Sequence, residues 1–292
     1  MIDSDFEYDR AFDRNIGWIT ADEQQELRRK RIAIAGMGGV GGAHLLTLTR
    51  MGVGAFNISD MDIFELANFN RQAGAAVSTI GRPKVEVMAE MARDINPQLE
   101  IESFPEGITE ANIDAFLSHA ELFVDGFDFF VPGIRAKVFR RCAELGIPAI
   151  TAGPIGFGTC YLIFLPGGMT FEQYFRMEGL PEERQYARFL LGLAPKGLHR
   201  NYLVDPSRLN LVERRGPSSA AAVQLCAGVV GAEAVKILLR RGRIRPAPYY
   251  HQFDVHQGRF VCRRLFLGND NPLQRLKLRA VEKQIKRLLH GR

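Results

Sequence analysis

Residues 31–42 read RIAIAGMGGVGG, an apolar run that leads directly into a glycine-rich turn. The run predicts a buried strand, and Gly36, Gly38 and Gly41 have the G-x-G-x-x-G spacing. In this pattern the first glycine makes a tight turn, the second lets the backbone approach a phosphate, and the third lets a helix pack close to the strand. Together with Gly39, these glycines predict a phosphate site at the start of a helix.

A carboxylate follows directly after the next predicted strand. Residues 55–59 read AFNIS, and Asp60 comes after them, 19 residues beyond Gly41. This is the usual separation for a carboxylate that accepts hydrogen bonds from a ribose. Glycines and one acidic residue are typical of any NAD or FAD site, so they do not identify the nucleotide.

Two further segments favour a triphosphate that is cleaved. They are NFNRQ (68–72) and GRPK (81–84). Arg71 offers a planar fork for two phosphate oxygens, and Lys84 offers a point charge on a long stem. Asn68 can donate to a phosphate while its oxygen holds its own loop. A dinucleotide cofactor is released intact and needs no cation placed for a leaving pyrophosphate.

Acidic residues follow a third strand pattern, at 121–124. The segment DGFD (125–128) comes directly after it. Ligands of doubly wound sheets lie beyond the carboxyl ends of the strands, so Asp125 and Asp128 are placed where magnesium bridging phosphates would find an oxygen ligand. Capping the helix that follows is the alternative role for these residues.

In order and spacing, GMGGVG, SDMD, NFNRQ, GRPK and DGFD resemble the motifs of the MoeB/ThiF/HesA family, bacterial relatives of ubiquitin-activating enzymes. The resemblance extends from about residue 10 to 265. It implies an adenylyltransferase that binds ATP and magnesium and attaches AMP to a carboxylate, usually the C-terminal glycine of a ubiquitin-like carrier protein. Pyrophosphate is released in this reaction.

Carried over by position, the resemblance implies a role for each matching residue. Asp60 would hold the ribose, Asn68, Arg71 and Lys84 would contact phosphates, and Asp128 would hold magnesium. It also implies a homodimer in which an N-terminal arginine reaches the partner's site. Arg14 is our choice for that arginine, and Arg10 or neither residue is the alternative. The full predicted nucleotide-binding set is Gly36, Gly38, Gly39, Gly41, Asp60, Asp62, Asn68 and Gln72, with Arg71, Lys84 and Arg14 as catalytic residues.

The cysteines depart from the family pattern. Many members hold a structural zinc through two C-x-x-C pairs, but Cys142, Cys160, Cys226 and Cys262 are far apart in this chain. We therefore expect no zinc. Residues 161–225 contain no cysteine, which argues against a thioester step at the place where some members carry one.

The order of strand and helix patterns predicts an α/β fold, a Rossmann-like doubly wound and mainly parallel sheet with antiparallel C-terminal strands and a substrate-binding insertion. A plain surface excursion is the alternative for the insertion. The predicted parallel strands are 31–36, 55–60, 99–104, 121–125 and 148–152. The predicted segments are an N-terminal helical arm (1–30), a nucleotide-binding core (31–165), the insertion (166–217), a helix and strands that complete the sheet (218–268) and a basic helix (269–292).

Charge is uneven along the chain. The whole sequence has 38 Lys and Arg and 33 Asp and Glu, but residues 240–292 hold 14 basic and 3 acidic residues. The basic helix near the C-terminus could contact RNA, an acidic protein or a membrane surface, or simply pack on its own domain. Residues 218–241 are the longest apolar segment, interrupted by polar residues, and predict a core helix with no membrane span. An acidic, polar N-terminus and few cysteines predict a cytoplasmic protein.

Four functions are compatible with these patterns. The first, which we favour, is an adenylyltransferase for a ubiquitin-like sulfur carrier or another protein or peptide C-terminus. The second is an ATP-dependent dehydratase or cyclase acting on threonylcarbamoyladenosine in tRNA. Strong, salt-sensitive binding of tRNA would support this function. A nicotinamide-dependent oxidoreductase would leave Arg71, Lys84 and Asp128 without a purpose. A non-catalytic relative would bind ATP and never release pyrophosphate.

Overall fold

A computed structural model describes residues 6–210 and 213–290, with side chains up to residue 283. Residues 1–5 of the predicted arm, 211–212 of the insertion and 291–292 of the basic segment lie outside the described residues. The strands in the described ranges are β1 (Arg31–Ala35), β2 (Ala55–Ser59), β3 (Glu100–Phe104), β4 (Leu122–Asp125), β5 (Ala149–Ile155), β6 (Gly158–Phe164), β7 (Tyr249–Asp254) and β8 (Arg259–Arg264). The α-helices there are α1 (Tyr8–Ala11), α2 (Ala21–Arg28), α3 (Gly39–Arg50), α4 (Lys84–Ile95), α5 (Ile113–Leu117), α6 (Pro132–Leu145), α7 (Phe171–Phe175), α8 (Glu182–Leu193), α9 (Ala220–Leu238) and α10 (Pro272–His290).

These strands form one sheet in the order β3-β2-β1-β4-β5-β6-β7-β8. Strands β1 to β5 are parallel, and β6 to β8 are antiparallel to their neighbours. The predicted fold class is therefore confirmed. The chain order reverses between β1 and β4, and this reversal creates the crevice at which doubly wound sheets bind ligands.

Alternation along the strands explains why helices cover both faces of the sheet. In β1, Ile32 and Ile34 belong to one buried cluster, and Ala33 and Ala35 belong to another. Successive side chains of a strand point to opposite faces, so a strand that is apolar throughout must be covered twice. Helices α3, α4 and α9 pack apolar side chains into the first cluster, and α5 to α8 pack theirs into the second.

The insertion is more structured than the sequence indicates. It contains α7, α8 and two short 3-10 helices (Leu198–Asn201 and Pro206–Arg208), whereas the sequence pattern predicts one helical stretch, at 181–191 (PEERQYARFLL). Helix α10 packs on α8, where Gln274 Nε2 donates to the Leu191 carbonyl at 2.8 Å. The described part of the basic helix is thus attached to the insertion. Whether the insertion forms a substrate groove stays a prediction, as do the segment boundaries.

Helix α9 is long and apolar enough to cross a membrane by length and composition alone, and half of its apolar stretch is buried in the protein. It packs on α3, β5 and β6, with Cys226 and Val230 fully covered. Its other side lines an open groove of about 740 Å³ that includes Leu225, Val229 and Phe157. One apolar face of α9 therefore belongs to the core, and the other faces outward.

The contact between β1 and α3 leads to a stability prediction for Gly41. A Cβ at Gly41 would lie 1.7 Å from the backbone oxygen of Gly36, which has no means of moving aside. We expect Gly41→Ala to lower the free energy of unfolding by about 3 kcal/mol, measured by urea denaturation. The matched control is Gly133→Ala in α6, where nothing lies within 4 Å of the new methyl group. The control should be stabilised by about 0.5–1 kcal/mol, and equal effects at both positions would contradict the packing explanation.

Candidate functional site

The glycine turn brings free backbone amides to the crevice. Gly36 follows β1 with a φ of 92°, and a Cβ there would lie 2.3 Å from the Gly126 carbonyl oxygen. Helix α3 begins at Gly39, with Gly38 as its N-cap. Since glycine has no side chain to cap a helix, the first amides of α3 remain available to an anion. The backbone of this turn therefore presents amides of the kind that bind a phosphate, and the phosphate site itself stays a prediction.

Asp60 joins this turn to the end of β2. Its carboxylate accepts hydrogen bonds from the backbone N–H of Met37 at 2.6 Å and of Asp62 at 2.8 Å. Burial raises the pKa of the Asp60 carboxyl, while the two N–H donors and the charge of Lys84 lower it. A carboxylate has about four acceptor positions, so two remain for the hydroxyl groups of a ribose.

Lys84 reaches the same place from the start of α4. An antiparallel bridge between Ile63 and Pro83 folds the chain back, and Lys84 Nζ lies 2.9 Å from Asp62 Oδ2. The Lys84 side chain is 7% exposed and that of Asp62 is 63% exposed. A cation in the first turn of a helix is opposed by the helix dipole, and the Asp62 carboxylate offsets this cost. An anion bound in the crevice would give the Lys84 ammonium group a second partner.

The segment 68–72 places two side chains against the first turn of α3. A Cβ at Gly38 would lie 3.6 Å from Gln72 Nε2, and a Cβ at Gly39 would lie 3.7 Å from Arg71 Cγ. Gln72 is 8% exposed, and its Oε1 has no hydrogen-bond partner among the described residues. The Oδ1 of Asn68 accepts from the Glu65 N–H at 3.0 Å, which holds the loop, and donation from its amide nitrogen to a phosphate stays a prediction.

The two aspartates after β4 have different surroundings. Asp125 is 3% exposed and accepts from Arg135 Nε at 2.9 Å and from Thr151 Oγ1 at 2.7 Å. This buried ion pair does not agree with a metal-ligand role for Asp125. Asp128 is exposed, and its Oδ1 accepts from the Phe130 N–H at 2.9 Å, so it also caps its own turn. Of the two, Asp128 keeps an open carboxylate oxygen for a cation.

Arg14 is not part of this cluster within one chain. It lies in a 3-10 helix (Asp13–Asn15) and is exposed. The neighbouring Asn15 Nδ2 donates to the Arg50 carbonyl, and Tyr8 Oη donates to the Gly52 carbonyl. The arm therefore packs at the C-terminal end of α3, whereas the glycine turn lies at the N-terminal end.

Sequence reasoning missed three contributors to the site. Gly126 packs against Gly36, and a Cβ on it would lie 2.8 Å from the Gly41 Cα. The signal was a glycine directly after a buried strand. Arg135 holds the turn after β4, because its Nη2 donates to the backbone carbonyls of Phe127 and Asp128, each at 2.8 Å. Asn70 Nδ2 donates to the Ser218 carbonyl at 3.0 Å and ties the segment 68–72 to the start of α9, a pairing that no local pattern reveals.

The described residues fit a nucleoside triphosphate with magnesium. The glycine turn and two nearby cations suit phosphates, and the unpartnered Gln72 oxygen, as an acceptor, suits a hydroxyl or amino group of the nucleoside. The Asp62 and Asp128 carboxylates are hard oxygen ligands of the kind magnesium prefers. No group of three or more His, Cys, Asp or Glu in the described ranges is arranged to hold a metal by itself. The expectation of a protein without zinc stays a prediction.

A family model described as the ThiF family matches residues 12–275. The chain is 32% identical over 142 residues to the tRNA threonylcarbamoyladenosine dehydratase of Bacillus subtilis (strain 168), covering 48% of this chain and 55% of that protein. It is 29% identical over 148 residues to the sulfur carrier protein ThiS adenylyltransferase of Escherichia coli (strain K12), covering 51% and 58%. It thus spans little more than half the length of these relatives.

Among solved structures, Escherichia coli MccB with ATP has a TM-score of 0.63 at 17% identity, covering 83% of this chain and 66% of that one, and so shares the fold.

Proposed function

The chain belongs to the ThiF family, and we propose that it is an ATP- and magnesium-dependent adenylyltransferase that activates a carboxylate as an acyl-adenylate. Our first choice of substrate is the C-terminal glycine of a ubiquitin-like sulfur-carrier protein, as the ThiS adenylyltransferase relative suggests. One observation carries the proposal: the Arg71 side chain packs against Gly39 at the start of α3, while Lys84 pairs with Asp62 close to Asp60, whose carboxylate accepts from Met37 in the glycine turn. A site for an intact dinucleotide needs no such pair of cations.

The reaction needs no nucleophilic side chain. The substrate carboxylate is ionised at neutral pH and attacks the α-phosphorus, the bond to the bridging oxygen breaks, and pyrophosphate leaves. Lys84 and Arg71 would neutralise the charge that develops on the phosphates, and Asp60 would position the ribose. Magnesium, held through Asp128, would supply further charge neutralisation. Burial raises the pKa of the Cys226 thiol to about 12, so Cys226 is no thiolate nucleophile.

We also propose a homodimer in which Arg14 completes the partner's site. Helix α3 has 12 residues and therefore separates the arm from the chain's own glycine turn by about 18 Å. The arm is exposed around Arg14, and Trp18 is 85% exposed. The outward face of α9 adds an apolar surface suited to a second copy. A residue this far from its own site can act on phosphates only in another subunit.

A second candidate function is an ATP-dependent dehydratase acting on threonylcarbamoyladenosine in tRNA. The relative from Bacillus subtilis carries that name and has 32% identity with this chain. The excess of basic residues after position 240 favours it, because neutralising phosphates supplies most of the affinity for RNA. In this alternative, α10 would contact the RNA backbone.

The proposed function is tested by ATP–pyrophosphate exchange with radiolabelled pyrophosphate and magnesium. We expect exchange to appear when a carrier protein ending in Gly-Gly is added, because reversible formation of the acyl-adenylate returns label to ATP. Short peptides and total tRNA complete the panel, and the same carrier lacking its terminal glycine is the control. ATP turnover with tRNA and no exchange with any carrier or peptide would favour the dehydratase. ATP binding with no turnover in any condition would contradict both enzymes.

A further inference from the structure

The last two strands and the loop before them carry an unusual excess of arginine. Residues 240–264 contain seven Arg, no Lys and one acidic residue, Asp254. Asp254 is 3% exposed and accepts from the Tyr202 hydroxyl at 2.7 Å, so its carboxylate is bound inside the protein and not at the surface. Arg241 pairs with Glu23 at 2.6 Å. In the described part of the chain, no carboxylate lies within 4.0 Å of the other six, Arg240, Arg243, Arg245, Arg259, Arg263 and Arg264.

Aromatic rings lie beside two of these arginines, Arg245 and Arg264, on one face of the sheet. Phe260 and Arg264 of β8 stand opposite Phe253 and Tyr249 of β7, and residues opposite each other share a face. Arg245 lies over the Tyr249 ring, 5.6 Å from its centroid. Directly after β8, Phe266 has Arg264 at 5.8 Å from its ring centroid. We call Arg245, Tyr249, Phe260, Arg264 and Phe266 the arginine–aromatic face.

Protection of an edge strand does not account for this face. β8 is the last strand of the sheet, and charged side chains on an edge strand prevent pairing with other molecules. Protection of the edge would explain the arginines, but exposed phenylalanines on the same edge would favour association with other molecules. Phe260 is 62% exposed and Phe266 is 59% exposed. A ligand that pairs with guanidinium groups and also stacks on aromatic rings would use both features.

We propose that the arginine–aromatic face binds single-stranded nucleic acid. Guanidinium groups pair with phosphates through their planar fork and stack on rings, and exposed aromatic rings stack on unpaired bases. β8 lies four strands from β4, which is about 19 Å across the sheet. The face is thus separate from the nucleotide crevice, and the proposal does not depend on which carboxylate the enzyme activates.

Fluorescence anisotropy with labelled oligo-U and oligo-dT of about 16 nucleotides tests the proposal, with salt varied between about 50 and 200 mM. We expect Phe260→Ala to weaken binding by about 5- to 150-fold without changing the salt dependence, because it removes one stacking ring. Arg264→Gln should lower the slope of log affinity against log salt by about 0.7, because one phosphate contact is lost. Comparing the two oligonucleotides decides whether RNA or DNA is preferred.

Arg241→Gln is the matched control, since Arg241 belongs to the same arginine-rich segment but already pairs with Glu23. It should keep both the affinity and the salt slope of the unmodified protein. The thermal midpoint of every variant should be unchanged, which separates lost binding from lost folding. Two results would overturn the proposal: a poly-glutamate of equal charge that competes as well as the oligonucleotides, or a Phe260→Ala variant with unaltered affinity. Either one would make the face a general cationic surface.

Discussion

Replacing Lys84 with methionine should reduce ATP–pyrophosphate exchange by about 100- to 1,000-fold, the range found when one preorganised charge-stabilising donor is removed from an active site. The reason is the position of the ammonium group. It lies 2.9 Å from Asp62 Oδ2, and its charge acts on Asp60, whose carboxylate accepts from Met37 in the glycine turn. Methionine keeps the apolar stem, which is buried, and removes only the charge. The rate of exchange with the acyl substrate identified by the panel is the measurement.

The fold should survive this substitution. Asp62 is 63% exposed, so water can solvate its carboxylate after the lysine charge is lost. Urea denaturation should therefore show a change of less than about 1 kcal/mol. Arg82→Met is the matched control, because Arg82 is two residues away and pairs with Glu90 outside the crevice. A Lys84→Met variant with more than about a tenth of normal exchange would contradict a phosphate contact for Lys84.

The fold could be predicted from the sequence because its signals are local. The observed β1, β2 and β4 agree within one residue with the strands predicted at 31–36, 55–60 and 121–125. Apolar runs bounded by glycine or charge determine these strands by themselves. β5 runs on to Ile155 through Gly153 and Pro154, beyond the predicted end at residue 152. It does so because it pairs with β6 up to Gly158, a tertiary contact that strand propensity does not contain.

The candidate site was predicted as a set of residues but not as a set of contacts. Spacing alone placed Asp60 at the end of β2, since a βαβ unit fixes that distance. The pairing of Lys84 with Asp62 depends on the bridge between Ile63 and Pro83, which folds an irregular loop back on itself. Nothing in the periodicity of such a loop indicates the bridge. The difference between Asp125 and Asp128 likewise depends on Arg135, which comes from the next helix.

Arg14→Ala should reduce exchange by about 1,000-fold, the scale of an arginine supplied in trans to phosphate transfer. Arg14 is exposed at the opposite end of α3 from the crevice of its own chain, so its loss should leave the stability of the subunit unchanged. Arg10→Ala is the matched control from the same arm, because Arg10 is also exposed. If Arg10→Ala loses exchange and Arg14→Ala does not, the assignment belongs to Arg10.

Mixing two inactive variants decides whether Arg14 acts across subunits. In a heterodimer of Arg14→Ala and Lys84→Met chains, the crevice that retains Lys84 receives an intact Arg14 from the partner, and the other crevice lacks both residues. Random exchange of subunits makes half of the dimers mixed, so about a quarter of normal exchange should return. An Arg14 that acted within its own chain would leave every crevice defective, and mixing would restore nothing. Recovery upon mixing therefore separates a site shared by two chains from a site complete in one.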